Sequence, residues 1–284
     1  MPDSDCRNAT SSEAGRMSEV ASEAVALKRW LFDEALPLWW QDGADHARGG
    51  FHEAIDLDGR PLALPHRARV IARQAFSYCE AGRLGWNGPW REAMRHALDF
   101  FCRHFVTADA TVVSVVDLDG KVSEATFHLY DQAFALLAYA SGHRAFGEAA
   151  GWRRRAVALR TALEQSYAHP LGGFREDKGG RLPQCANPHM HLLEAALAWT
   201  VVDDDPAWRR MADGIATLCL EKFIAPGTGA LREFFAADWS PAPGVEGRIC
   251  EPGHHHEWAF LLARWARLTG RTKPDAASRL IAFA

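Results

Sequence analysis

Four times along this chain, a run with the turn chemistry of a β-hairpin precedes a helix that opens on polar, chemically capable residues. The runs are Gly49-Gly50-Phe51-His52-Glu53 to Asp58-Gly59, Val112 to Asp119-Gly120, Gly172-Gly173-Phe174-Arg175-Glu176 to Gly179-Gly180, and Gly229-Ala230-Leu231-Arg232-Glu233 to Asp238. Their starts lie 63, 60 and 57 residues apart. A near-constant period of this size implies one supersecondary unit stacked on itself. It also puts the residues after each hairpin at equivalent places, so that they read as one site assembled from several repeats.

Apolar spacing predicts helices over 18–42, 66–86, 88–107, 124–141, 145–168, 187–203, 205–223 and 253–269, with a last one from Lys273. Pro37 should kink or end the first locally. The helix after each hairpin is apolar on all sides, as in Ala133-Phe134-Ala135-Leu136-Leu137 and Ala195-Ala196-Leu197-Ala198-Trp199, whereas the helix before each hairpin is amphipathic, as in Trp152-Arg153-Arg154-Arg155. An apolar-all-round helix is a buried one. The pattern predicts an all-α protein of two concentric helical layers, an α/α toroid with short hairpins. About nine helices are legible, and two further units, about 110–130 residues, would close such a ring. The expected organisation is a disordered tail over residues 1–16 and one incomplete toroidal domain over 17–284.

A formal net charge of −4 and the absence of a basic stripe argue against nucleic acid. No apolar run approaches the roughly 18 residues of a membrane helix, and the acidic, serine-rich start is no signal peptide. Six cysteines without a CxxC pair suit reduced thiols, mostly buried, in a cytoplasmic protein.

The inner helices carry the candidate chemistry. Arg73 lies on the first, and Tyr130 and Asp131 open the second. Asn187, His191 and Glu194 stand at i, i+4 and i+7 on the third, and His254 and Glu257 at i and i+3 on the fourth. His189 and His255 point elsewhere. An imidazole beside a carboxylate is the usual general acid–base arrangement. Arg73 and Tyr130 suit hydroxyls or an oxyanion. His46, His96, His104, His143 and His169 read as surface or helix-end residues, and Arg67 and Arg69 as solvated or ion-paired. Adjacent residues of His254-His255-His256 cannot converge on one ion from a helix, so no metal site is expected.

Several stretches, taken together and in order, resemble the N-acylglucosamine 2-epimerase family. They are Gly49-Gly50-Phe51, Arg73-Gln74, Tyr130-Asp131-Gln132-Ala133-Phe134, Asn187-Pro188-His189-Met190-His191-Leu192-Leu193-Glu194-Ala195 and Pro252-Gly253-His254-His255-His256-Glu257-Trp258. The resemblance is nearest to the mannose isomerase and mannose-6-phosphate-isomerase-like branch. It implies an (α/α)6 barrel, no cofactor, no metal, a monosaccharide substrate and a homodimeric assembly. It further implies that Arg73, Tyr130, Asn187, Glu194 and Trp258 hold the sugar, and that His254, Glu257 and His191 form the catalytic group. The family's second catalytic histidine, on a late inner helix, has no match in these 284 residues, so weak or no activity is expected. The implied reaction is mannose to fructose by histidine-mediated proton transfer through a cis-enediolate. Epimerisation at C2 is the alternative, and a sugar-binding remnant is another. A glycoside hydrolase or lyase would need facing carboxylates, for which Glu176, Glu194, Glu233 and Glu257 are the candidates.

Overall fold

The computed structural model describes residues 19–284, so the tail expected over 1–16 lies outside the described residues. Nine helices are present among the described residues. We number them α1 (19–41), α2 (Ala68–Arg83), α3 (Trp90–His104), α4 (Leu129–Phe146), α5 (Trp152–Ser166), α6 (Ala186–Val202), α7 (Pro206–Leu218, continued by a π-turn over Cys219–Phe223), α8 (Pro252–Thr269) and α9 (Asp275–Phe283). None is long and apolar enough to cross a membrane.

Helices α2, α4, α6 and α8 stand side by side as an inner row. Each carries the next helix in sequence, α3, α5, α7 and α9, on its outer side. The two layers read from the sequence are therefore present. Helices α4 and α6 are buried over almost their whole length, because each has inner neighbours on both sides. At the two ends of the row, α2 and α8 keep an open face, exposing Arg73 on one and Glu257 and Phe260 on the other.

Several element boundaries differ from expectation, and the helix expected over 145–168 starts only at Trp152, because α4 runs on to Phe146. The second inner helix begins at Leu129 rather than near 124, because Val122–Glu124 is a strand paired with Val115–Val116, and His128 is still extended. It continues past Gly142, which is no stop. The Trp152 indole of α5 rests there, 2.9 Å from where a Cβ would sit. The stop is Gly147, at φ +79°, a conformation that favours glycine. In α1, Pro37 does not end the helix. A π-turn over Leu31–Ala35 precedes it and accommodates the missing hydrogen bond.

Five two- or three-residue strands lie at one end of the inner row. We number them β1 (His66–Arg67), β2 (Val115–Val116), β3 (Val122–Glu124), β4 (Gln184–Cys185) and β5 (Phe234–Phe235). They form antiparallel ladders β1-β2-β3 and β4-β5. Each ladder links adjacent repeats, with Cys185 opposite Phe234. The inner helices α2 and α6 follow directly from β1 and β4, α4 follows β3 after a short extended stretch and α8 follows β5 after a loop, with Arg67, His128, Cys185 and Glu251 as N-caps.

Four residues after three of those caps, one polar side chain clips the helix to the hairpin before it. In α4, Gln132 Oε1 accepts from Val112 N (2.9 Å), and its amide nitrogen donates to Val112 O (2.9 Å) and His128 O (3.2 Å). In α6, His189 Nε2 accepts from Phe174 N (3.0 Å), and Nδ1 lies 2.9 Å from Cys185 O. In α8, His255 Nε2 accepts from Leu231 N (2.9 Å), and Nδ1 lies 3.0 Å from Glu251 O. An imidazole nitrogen that accepts a backbone N–H carries no proton, so both rings are neutral with the proton on Nδ1. Gly173 is needed for the same clip. At φ +74°, a side chain there would come within 2.7 Å of His189 Nε2. The first repeat has Ile71 at this position, and His66 Nδ1 reaches Phe51 O instead (3.0 Å).

Burial lowers the His189 pKa to about 4, against the opposing hydrogen bonds to Cys185 and Phe174. A folded-state pKa below the unfolded one means that stability is complete above about 6.5 and falls as pH drops from there toward 4, by up to about 3 kcal/mol. His189→Gln should fold with little loss near neutrality, since Gln132 already performs this role. His189→Leu should lose about 1–3 kcal/mol by leaving Phe174 N–H and Cys185 O unpaired. Urea unfolding at pH 7.5 and pH 5 checks both: the glutamine variant should show the smaller acid-induced loss.

Candidate functional site

A cavity of about 430 Å³ opens at the strand end of the inner row. Its wall includes Tyr130, Glu176, Asn187, Glu233 and His254. This volume falls within the range of small-ligand sites. Three inner helices, α4, α6 and α8, point their N-termini toward it, and none has a side-chain cap. The aligned peptide dipoles there favour negative charge.

His254 sits on the first turn of α8, with Nδ1 3.0 Å from Glu233 Oε1. Neither atom makes a well-aligned hydrogen bond, and the contact is an electrostatic one between the imidazole and the carboxylate. Glu233 is 4% exposed, two residues past the Ile224–Leu231 bridge of the fourth hairpin. The Glu233 carboxylate raises the His254 pKa, against the opposing effect of burial. Fixing Nδ1 in this way leaves Nε2 as the working nitrogen.

His191 and Glu194 also pair, with Nδ1 to Oε2 at 3.2 Å, as their i, i+3 placement on α6 allows. The His191 ring meets Tyr130 edge-on at 5.0 Å and lies 4.5 Å from Phe134. Arg73 lies over the other ring of that group, 4.4 Å from the Phe134 centroid. Arg73, Phe134, Tyr130 and His191 therefore form one continuous inner wall contributed by α2, α4 and α6. Burial raises the Tyr130 pKa, so the phenol stays a donor.

The structure brings Tyr130, Asn187 and His254 onto the cavity and puts His191 and Arg73 beside them. Asn187 Oδ1 is buried without a hydrogen-bond partner. Glu194 turns toward a second hollow further along the inner face, of about 320 Å³, with Arg144 and Arg264. Glu257 is exposed on the open face of α8 and is not the carboxylate that touches His254 Nδ1. Trp258 departs furthest from the expected placement. It is wholly buried against Phe223, 5.9 Å between ring centroids, because its position on α8 faces the outer layer.

The carboxylates of the cavity had appeared in the sequence only as candidates for hydrolysis. Their signal was the hairpin register. The residue two beyond each bridged position is Glu53, Ser114, Glu176 and Glu233. Glu53 accepts from the Arg67 cap N–H at 3.1 Å, and Glu176 from the Cys185 cap N–H at 3.2 Å. Ser114 donates to Asp131 at 2.8 Å, and Glu233 goes to His254. The arginines expected to be solvated or paired are paired, Arg67 with Glu53 and Arg69 with Asp131 at 3.6 Å. His169, expected at the surface, is 9% exposed and accepts from Trp239 Nε1 at 3.1 Å. The three adjacent histidines diverge, with His254 on Glu233, His255 on the hairpin and His256 exposed. Among the described cysteines none forms a disulfide.

Glu233→Gln should lower the His254 pKa, because the raising charge is removed while burial remains. A histidine-selective NMR titration reads this directly; an unchanged His254 midpoint would remove Glu233 from the site.

The family model described as N-acylglucosamine 2-epimerase matches residues 49–284. Over 264 residues the chain is 46% identical to a protein of Rhizobium meliloti (strain 1021) named mannose-6-phosphate isomerase, covering 92% of this chain and 68% of that one. A solved cellobiose 2-epimerase from Spirochaeta thermophila superposes with a TM-score of 0.81 at 25% identity, over 94% of this chain and 69% of that one. A solved D-mannose isomerase gives 0.78 at 18% identity, over 90% and 68%. The fold is thus that of the (α/α)6-barrel epimerases, and the chain spans about two thirds of the length of these relatives.

Proposed function

The chain belongs to the N-acylglucosamine 2-epimerase family, a family of sugar epimerases and isomerases, and from that premise we propose that it interconverts a mannose-type aldose and its ketose through a cis-enediolate. The observation that carries this reading is the His254–Glu233 pair on the wall of a cavity with room for a monosaccharide. The hydrogen on C2 of an open-chain aldose is acidic because the adjacent carbonyl takes up the negative charge. His254 Nε2 removes it, and Glu233 supports the imidazolium that forms. The converging N-termini of α4, α6 and α8 lower the energy of the enediolate oxygens. Return of the proton to C1 gives the ketose, whereas return to the opposite face of C2 gives the epimer.

Tyr130 and Asn187 hold hydroxyls in this scheme. The unpartnered Asn187 Oδ1 is an acceptor that a sugar hydroxyl would satisfy. The His191–Glu194 pair, with Arg73, lines the approach from the inner face. We assign no sugar contact to Trp258, and we give Glu257 an electrostatic part only, since its charge reaches both Tyr130 and His254.

We further propose that the sugar is unphosphorylated. The cavity wall holds Glu176, Glu233 and Glu251. Its one arginine, Arg181, lies 3.9 Å from Asp177. Of the other cations that could meet a phosphate, Arg67 and Arg69 pair with Glu53 and Asp131, exposed Lys178 lies 3.9 Å from Asp109, and Arg175 carries no ion pair among the described residues. In this reading the carboxylates, set in the cavity wall itself, outweigh the helix dipoles for a phosphate dianion.

Purified protein incubated with D-mannose in deuterated water should give fructose carrying deuterium at C1, read by proton NMR, and His254→Asn should slow this by about 10²–10⁴. Glucose in place of fructose would assign the 2-epimerase reaction, and no exchange from folded protein would overturn both. In the same assay D-mannose should exceed D-mannose 6-phosphate in kcat/KM by at least about tenfold, roughly 1.4 kcal/mol of discrimination. A preference for the phosphate would overturn the neutral-sugar reading alone.

A further inference from the structure

Isomerisation of an aldose moves two hydrogens, and His254 accounts for only the one on carbon. The other must leave the C2 hydroxyl and arrive on the C1 oxygen. We propose that Glu176 carries this hydroxyl proton between the two sugar oxygens, an assignment that rests on the isomerase reading above.

Glu176 is placed for this by the hairpin register that delivers Glu233. Its carboxyl is 6% exposed and lines the cavity shared with Asn187 and His254. The two hairpin glutamates converge on the start of α6 from adjacent segments. Cys185 N donates to Glu176 Oε1 at 3.2 Å, and Ala186 N donates to the Glu233 carbonyl at 2.9 Å. Burial and both carboxyl groups hold the Cys185 thiol neutral.

The equivalent residue of the first repeat shows what a purely capping glutamate looks like. Glu53 accepts from Arg67 N and is also neutralised by the Arg67 guanidinium. Glu176 has no such partner. The charged and titratable groups around it are Arg181, Asp177 and Cys185, with Glu233, His254, His128 and Glu251 across the cavity. Burial outweighs the Cys185 N–H and Arg181, and raises the Glu176 pKa to about 7. Near neutrality an appreciable fraction of the group is therefore an acid.

The cycle balances with the acid form as its starting point. His254 takes the proton from C2 to give the enediolate, and Glu176 then gives its proton to O1. The electron pair of the C2–H bond becomes the C1–C2 double bond, and the carbonyl pair goes to the new O1–H bond. Glu176, now a carboxylate, takes the proton from O2, whose electrons form the new carbonyl. The C1–C2 pair then takes a proton from His254, which has exchanged with solvent in the intermediate, to make the second C1–H bond. Both side chains end as they began, and no other reactant is consumed.

The test follows mannose deuterated at C2 in ordinary water, for wild type and Glu176→Gln. Loss of the label from unreacted mannose reports carbon proton transfer, and fructose reports the whole cycle. In the variant, fructose formation should fall by about 10²–10⁴ while label loss falls by less than about tenfold. The wild-type rate should decline as pH rises through about 7, where the acid form is lost, and the variant should lack that limb. A parallel fall in both readouts, or an unchanged variant, would reduce Glu176 to a cap and overturn the proposal. Label loss without fructose in the wild type overturns it too. Neither event in the wild type overturns the isomerase reading and this assignment with it. Should the glutamine variant fail to fold, the carboxyl 13C titration of wild-type Glu176 decides: a midpoint near 7 supports the assignment, and an ordinary glutamate value of about 4.3 overturns it.

Discussion

The hydrogen bond from a hairpin amide to a side chain four residues into the following inner helix is the contact on which this architecture depends. It is made by Gln132, His189 and His255 in successive repeats. Each clip satisfies a buried amide of the hairpin and a carbonyl at the helix cap with one side chain. Leaving either group unpaired in the interior would cost about 1–3 kcal/mol. More important for the site is what the clip aligns. It holds the hairpin so that the residue two positions past the bridge faces the start of the inner helix.

Site chemistry follows from that alignment. The same register position supplies Glu53 and Glu176 to cap amides, Ser114 to Asp131 and Glu233 to His254. A structural position of the repeat is thus diverted to an imidazole in the fourth unit, where Glu233 holds the ring and raises its basicity. The α4, α6 and α8 N-termini add positive potential at the same mouth. Rigid helices carry Tyr130, Asn187 and His254, and rigidly clipped hairpins carry the carboxylates, so the cavity is preorganised without a long loop.

Much of this was legible in the sequence because it depends on period. The repeat spacing and the apolar-all-round stretches of α4 and α6 specify two helical layers, and the i, i+3 and i, i+4 spacings place Asn187 near His191 and His191 on Glu194. What sequence spacing cannot reveal is the partner contributed by another segment. Glu257 is closer in sequence to His254, yet Glu233, 21 residues earlier, makes the contact through the hairpin register. Trp258 follows Glu257 by one residue, and a rotation of about 100° per residue is enough to turn it into the core. The helix expected to end at 141 runs on through Gly142, whose missing side chain leaves the space that Trp152, ten residues on, occupies. The roles of Arg73, Tyr130 and Asn187 in holding a sugar remain a proposal built on their placement.

The measurement that tests the central claim most directly is the tautomer of His189 and His255 at neutral pH, read from two-bond proton–nitrogen correlations in histidine-labelled protein. If the hairpins are clipped as described, both rings carry their proton on Nδ1, with a bare Nε2 accepting Phe174 N–H and Leu231 N–H. A proton on Nε2 of either ring is incompatible with that bond and would contradict the account.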